Sequence, residues 1–227
     1  DGNEVEFISN DGKMFSIRSG KSKFSLGCLP KEDFPIIEIV NLKSELSIES
    51  KILLKLIEKT RFAISNEETR YFLNGIYFHK RNANSKECLC IVATDGHRLA
   101  KIDFNTQEKI SEIPGVIIPR KTIGELCKLL ADFSGTVKIN LDPNKIIFFV
   151  DKSILISKVI DGSFPDYQKV IPNNNTNIMS VKRNDFSLAV DRVSTITNEK
   201  SPAIKFKLLK NIMNMTSVDS ESGLATE

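Results

Sequence analysis

The sequence predicts an α+β fold of repeated strand–helix–strand–strand–strand units with antiparallel sheets. Three observations carry that reading. Short segments of alternating hydrophobicity recur along the chain, separated by turns bearing Gly, Asn and Asp. Amphipathic helical stretches interrupt them singly, instead of following every strand as in a parallel α/β fold. The same succession of elements also returns roughly 130 positions further on.

In chain order, residues 5–9, 14–18 and 23–27 alternate around the turn signals Asn10-Asp11-Gly12 and Ser19-Gly20, an antiparallel meander with tight turns. Pro30 and Pro35 make the following stretch an irregular crossing into residues 36–40. A new unit begins near Ser44 with a strand at 46–48. Ser47 or Ser50 caps the next helix, in which Ile52, Leu53, Leu56, Ile57 and Thr60 share one face and Lys51, Lys55, Glu58 and Lys59 the other. Residues 62–66 end that helix. A strand at 71–79 and a polar loop at 81–87 then lead to CLCIVATDGHRLAKI, residues 88–102.

Within this stretch residues 89–93 are continuously apolar, as a buried strand requires. The run breaks at Thr94-Asp95-Gly96, where Asp bonds its own backbone and Gly accepts a positive φ. His97, Arg98 and Leu99 follow, ahead of a second strand around 100–104. A hairpin tip carrying these three side chains in a row is the first candidate site. The residues alone equally allow a His97 ring packed on a neighbouring strand with Arg98 facing water.

The second half of the unit repeats the first. A strand at 116–118 runs through Pro119 into a helix at 121–130, where Ile123, Leu126, Cys127 and Leu130 fall at helical spacing. Strands at 137–141, 146–150 and 154–159 follow, and DGSFPDY at 161–167 leads to Val170-Ile171-Pro172. The asparagine-rich residues 173–177 read as a linker. Beyond them come a strand at 178–181, a helical face of Phe186, Ala189, Val190 and Val193, and strands near 204–208 and 212–215. The polar, acidic tail at 217–227 has no obvious closing element.

Two echoes define the repeat. Phe34-Pro35 returns as Phe164-Pro165. The helix with Leu53, Leu56 and Ile57, followed by Asn66-Glu67, returns as the helix with Phe186, Ala189 and Val190, followed by Asn198-Glu199. The expected organisation is the tail of one unit at 1–43, a complete unit at 44–172 and the front of another at 173–227, a window on a longer array.

Composition narrows the class. At 227 residues, with 41% apolar and 27% charged residues, the chain has the balance of a soluble globular protein. A net charge of +3 permits nucleic-acid contact without arguing for it. No apolar run reaches membrane-spanning length, and DGNEVEF lacks the basic start and apolar core of a signal peptide. Cys28, Cys88, Cys90 and Cys127 read as buried thiols in a reducing cytoplasm, because Cys88-x-Cys90 has strand alternation and not zinc-knuckle spacing.

Four motifs in order, RYFLNG at 70–75, VATDGHRLA at 92–100, IPRK at 118–121 and DGSFPDY at 161–167, resemble the bacterial DNA polymerase III beta subunit, the replication sliding clamp. The resemblance implies a DNA-clamp fold, with helices on the DNA-facing side of antiparallel sheets and two three-domain protomers closing a ring around duplex DNA. On this likeness residues 1–43 are the end of the first domain, 44–172 the second and 173–227 the start of the third.

The resemblance also implies a peptide pocket between the second and third domains that receives motifs of the Gln-Leu-x-Leu-Phe kind. Its second-domain wall maps to Arg70, Leu73, Thr94, Gly96, His97, Arg98, Leu99, Pro165, Lys169 and Val170. The third-domain wall falls beyond this sequence, so the pocket is expected to be half-open and weak. Sequence-independent DNA contact is implied for Arg70, Tyr71, Phe72, Arg120, Lys121 and Lys128, with further cations at Lys51, Lys55, Lys59, Arg61, Lys182, Arg183 and Arg192. The residues alone allow each of these to be a solvated helix face. Lys21, Lys23, Leu26, Thr195 and Ile196 match the family's dimer interface, and Glu221 and Glu227 are candidates to face the lysines across it.

The implied partners are double-stranded DNA, the polymerase III alpha subunit, the clamp loader and other proteins with the clamp-binding motif. No cofactor, metal or membrane is expected, and the compartment is the cytoplasm. A hydrolase reading would start from Asp95, His97 and Asp161 or Asp166. It lacks a glycine-rich phosphate loop, a nucleophile elbow and the His/Cys richness of a metal centre. A peptide-binding module that never encircles DNA is the other alternative.

Overall fold

The structure, a computed structural model, describes residues 4–10, 13–34, 44–83, 86–105, 113–197 and 202–227. The expected strand at 36–40, Pro35 and the Asn198-Glu199 echo lie outside them. The chain forms two compact units, Asp1–Asp166 and Tyr167–Glu227.

The first unit opens with the expected meander. Strands β1 (Glu6–Asn10), β2 (Met14–Ser19) and β3 (Ser22–Gly27) form an antiparallel sheet in that order. Alternation places Phe7, Ile17 and Phe24 in one cross-strand row and Phe15 beside Leu26 in another, on the same face. β3 is an edge strand with every side chain exposed.

The rest of this unit is two matching halves. The first comprises β4 (Ser44–Glu49), α1 (Ser50–Glu58), β5 (Gly75–Ala83), β6 (Lys86–Thr94) and β7 (Leu99–Phe104). The second comprises β8 (Val116–Pro119), α2 (Arg120–Ala131), β9 (Thr136–Leu141), β10 (Lys145–Val150) and β11 (Ser153–Lys158). Each half donates its first strand to the other's sheet, giving the orders β7-β6-β5-β8 and β11-β10-β9-β4. The exchange welds the halves around one core, in which Leu53, Leu56 and Ile57 of α1 and Ile123, Leu126 and Leu130 of α2 meet Phe78, Ile91 and Phe148 from the two sheets. Each such fully buried side chain contributes about 1.5–3 kcal/mol. Gly75 sits where β5 leaves its turn, so close to β8 that a Cβ there would collide with the Ile118 carbonyl.

The second unit carries α3 (Arg183–Ser194) and the antiparallel sheet of β12 (Lys205–Leu209), β13 (Ile212–Asp219) and β14 (Gly223–Thr226). Ala189, Val193 and Met215 form its small core. Among the described residues no helix is long and apolar enough to cross a membrane.

Several local expectations are corrected. Neither Ser47 nor Ser50 caps α1. The N-cap is Glu49, without a side-chain bond, and the Ser50 hydroxyl instead donates to the Phe133 carbonyl at 2.8 Å. The strand expected at 71–79 begins only at Gly75, because residues 68–73 form a 3-10 turn. Of the polar loop expected at 81–87, the described residues are paired strand ends, with Arg81 opposite Cys88 and Asn82 opposite Glu87. Its polarity belongs to strands that face solvent there, and Lys80 pairs with Glu87 at 2.7 Å. Residues 178–181, expected as a strand, form no strand pairing among the described residues. The tail is ordered by pairing: β14 closes on β13, the Met215 and Glu227 backbones exchange bonds, and the Glu227 carboxylate pairs with Arg192 within the same unit. Cys88, Cys90 and Cys127 are buried, whereas Cys28 is exposed.

Candidate functional site

Hairpin β6–β7 closes at the pair Thr94 and Leu99, leaving residues 95–98 as its tip. Asp95 builds that tip. Its Oδ1 accepts the backbone N–H groups of His97 and Arg98, each at 2.9 Å, and its Oδ2 accepts the Arg98 Nε–H at 3.0 Å. These bonds, that from the Arg98 N–H foremost, hold the Asp95 carboxyl down at about 2. The Thr94 hydroxyl donates to the Arg98 carbonyl at 2.7 Å and accepts the Gly96 N–H at 3.1 Å. Gly96 takes φ +89°, a conformation that side chains with a Cβ resist. His97 and Arg98 are exposed and Leu99 is half-buried.

A second element meets the tip at Gly96. The buried Ser65 pins a turn at both ends, donating its N–H to the Leu73 carbonyl and accepting the Glu67 N–H at its hydroxyl, both at 3.1 Å. Within the turn Arg70 leaves helical geometry, at φ −111° and ψ 51°. The Glu67 carboxylate receives the Arg70 guanidinium as a fork, with Nε–H to Oε2 at 2.8 Å and Nη2 to Oε1. That bond holds the Glu67 carboxyl below its ordinary value. The remaining nitrogen, Nη1, lies 2.5 Å from the position a Cβ on Gly96 would take. Leu73 is only 3% exposed, so it supports this surface from beneath.

Two further contacts complete the arrangement. The Arg98 guanidinium stands 5.9 Å above the ring of Phe62, which is 57% exposed on a 3-10 turn packed beside β6 and β7. The segment leaving β11 is tied to β8 by the Ile160 N–H on the Ile117 carbonyl at 2.9 Å. Phe164 then stacks on Tyr77 at 4.8 Å, Tyr77 stacks on His79 at 4.3 Å, and burial pushes the His79 imidazole down to about 4. A Cβ on Gly162 would stand 3.1 Å from Phe72 Cβ and 3.4 Å from Tyr71 Cε2. Pro165 follows, exposed.

Residues far apart in sequence, Arg70 with Gly96 and Tyr71-Phe72 with Gly162, are thus brought together in the first unit. Lys169 and Val170 are exposed on the second unit's turn Tyr167–Val170. Within the first unit, an exposed, acid-paired arginine beside a half-buried leucine and an open ring suits reversible recognition. The Asp95 oxygens are committed to the loop, and among the described residues no group of three or more His, Cys, Asp or Glu is placed to hold a metal.

The other expected residues are dispersed. Arg120 starts α2, its guanidinium on the Asn66 Oδ1 and its N–H on the Asn74 carbonyl at 3.0 Å, while Lys121 is exposed and Lys128 pairs with Glu125 at 2.9 Å. Lys51, Lys55, Lys59 and Arg61 are exposed along and after α1. Tyr71 is half exposed, edge-on to Phe72. Lys21 lies in the β2–β3 turn and Lys23 and Leu26 on the β3 edge; Thr195 and Ile196 follow α3, the Thr195 hydroxyl bonding the Arg192 carbonyl at 2.8 Å. A groove of about 580 Å³ in the second unit, between Ile178, Met179 and Val181 and Leu208, Leu209 and Ile212, has no titratable lining residue and carries none of the four motifs.

Sequence reasoning missed Phe62 and Glu67. Glu67 had a legible signal, an acid three positions before Arg70. Phe62 had none, since only the fold reveals that Arg98 returns to its ring.

Comparison with known proteins bears on the fold and the family. The family model for the DNA polymerase III beta subunit central domain matches residues 47–166, and that for its C-terminal domain matches residues 168–227. The beta sliding clamp of Caulobacter vibrioides is 43% identical over the whole chain, which spans 61% of that relative's length. That of Rickettsia bellii is 36% identical over 92% of the chain and 55% of its own length. Among solved structures, the Bartonella birtlesii clamp bound to griselimycin is 44% identical with a TM-score of 0.85, and a Caulobacter crescentus beta sliding clamp is 43% identical with a TM-score of 0.89; the chain is covered fully and each of theirs to 61%. Fold, motif order and likeness along the full chain agree: the chain belongs to the bacterial DNA polymerase III beta subunit family, the replication sliding clamps.

Proposed function

We propose that this chain is part of a DNA sliding clamp, a cytoplasmic, non-catalytic processivity factor that encircles duplex DNA and tethers polymerase and other factors through short linear peptides. The observation that carries this reading is the tip at residues 95–98, where the backbone is held internally and His97, Arg98 and Leu99 remain presented. Arg70, Thr94, Gly96, His97, Arg98, Leu99 and Pro165, with the nearly buried Leu73, are the residues of the first unit assigned to peptide recognition; Lys169 and Val170 are exposed candidates on the second unit. Burying a peptide Leu and Phe on such a surface is worth roughly 2–6 kcal/mol gross, which even before ordering costs gives no better than about tens of micromolar, so these two anchors alone make a weak site. That the Bartonella birtlesii relative is bound to griselimycin in its crystal supports a ligand-receiving surface in this family.

For DNA, the exposed lysines of α1 and α2 together with Arg120 supply diffuse positive charge for phosphate contact without base readout, and the half-exposed Tyr71 ring offers a stacking face. The free edge of β3, with Lys23 and Leu26, is suited to strand pairing in a dimer, and Thr195 and Ile196 supply the opposite side. The division at residues 43 and 172 follows clamp domains one, two and three. Once tethered, partners gain a high effective concentration on DNA. The polymerase III alpha subunit and the clamp loader are the partners this reading names. Fluorescence anisotropy with a labelled Gln-Leu-x-Leu-Phe peptide tests it: saturable binding that Leu99→Ala weakens at least fivefold supports the site, and binding indifferent to Leu99→Ala removes it.

A further inference from the structure

The site contains two arginines, each compensated by an acid three residues earlier, Glu67 for Arg70 and Asp95 for Arg98. The two acids are held differently. Asp95 accepts two backbone N–H groups as well as the guanidinium, so its charge cannot be removed without loosening the loop. The Glu67 carboxylate, 52% exposed, bonds the Arg70 side chain, whose own exposure is 35%, and closes no backbone turn. The guanidinium it holds stands against Gly96, the middle of the presented tip.

From this arrangement we infer that Glu67 is a specificity-determining residue of the peptide surface: by neutralising Arg70 beside Gly96 it keeps the site indifferent to peptide charge. The inference rests on the peptide-recognition reading above. A neutral rim selects extended peptides by their two apolar side chains and by amide hydrogen bonds, and an acidic or basic residue between those anchors gains little. The bidentate fork makes the compensation geometric, since it also fixes the direction in which the Arg70 charge faces.

The test pairs Gln-Leu-Asp-Leu-Phe and Gln-Leu-Lys-Leu-Phe against the wild-type chain, Glu67→Gln and Glu68→Gln, by anisotropy at two salt concentrations. Glu68 is an exposed acid one position away, and its neutralisation changes net charge equally without touching the fork. The expected result is near-equal affinity of wild type for the two peptides. In Glu67→Gln the Asp:Lys affinity ratio then rises roughly two- to fivefold and falls back with added salt, while Glu68→Gln behaves as wild type. An unchanged ratio in Glu67→Gln, or an equal change in Glu68→Gln, overturns the inference while leaving the site intact. Failure of both peptides to bind wild type, or binding insensitive to Leu99→Ala, overturns the site reading and this inference with it.

Discussion

Two hairpin tips in the first unit use the same device to different ends. At β6–β7, Asp95 accepts the N–H groups two and three residues on, at 2.9 Å each; at β9–β10, Asp142 does the same with Asn144 and Lys145, at 2.7 and 2.8 Å. A third copy, Asp219 with Glu221 and Ser222, closes β13–β14 in the second unit. A carboxylate turning a hairpin is therefore architecture in this protein and no sign of function. A positive-φ glycine is shared with the Asp219 turn, where Gly223 stands at φ +105°; what distinguishes the Asp95 tip is a hydroxyl lock from Thr94, a guanidinium on the carboxylate, and Arg70 and Phe62 brought in from another element.

The largest effect that separates the two tips is on stability. Asp95→Ala deletes two backbone bonds and one guanidinium bond to a charged acceptor and costs about 2–3 kcal/mol, whereas Asp142→Ala costs about 1–2 kcal/mol. Urea denaturation of both variants measures the gap, and equal losses would erase the distinction. The same contrast has a pH signature. Because the folded-state Asp95 carboxyl is depressed to about 2, its contribution is fully present above the unfolded value near 4 and is lost as pH falls toward 2. Acid titration of stability should therefore show a component between about pH 4 and 2 that Asp95→Asn removes.

Smaller effects follow from Gly96. Gly96→Ala forces an L side chain to φ +89° and displaces Arg70 Nη1, at a cost of about 1–2 kcal/mol read by thermal melting; a neutral result would mean that the tip relaxes freely. Least costly to the fold is the double change His97→Asn with Arg98→Lys, which carries over the two residue types that follow Pro143 at the other tip. Stability should fall by less than about 1 kcal/mol, the scale of an exposed ion pair, because lysine keeps the charge but loses the Nε–H bond to Asp95. Peptide affinity should nevertheless fall several-fold in a calorimetric titration, and unchanged affinity would reduce the Asp95 tip to another piece of architecture.

The elements that were legible in the sequence are those where one physical period dominates. The α1 and α2 stripes fall within a residue or two of expectation because each buries one regular face, and the meander and the strands β9, β10 and β11 do so because turn residues bound their alternating segments. Tyr71-Phe72-Leu73 misled because three apolar residues fit a strand as well as a turn. Ser65 and the Glu67–Arg70 fork, both outside any period, decided the outcome. The tail misled through composition: Ser217 and Asp219 are polar yet buried in β13, satisfied by the Ala203 carbonyl and by the turn N–H groups. Of the site, the motif residues were readable and their meeting was not. Arg70 against Gly96 and Arg98 over Phe62 follow from strand order, which no local pattern encodes.

On the proposed reading the Asp95 tip and the Arg70 turn form one peptide-recognition surface. Its most direct test is an amide chemical-shift titration of the chain with a Gln-Leu-x-Leu-Phe peptide. The expected result is shifts concentrated at residues 70–73 and 94–99, with the Asp142 tip silent. A well-dispersed spectrum with no shifts at millimolar peptide, or shifts centred on another hairpin, would contradict it.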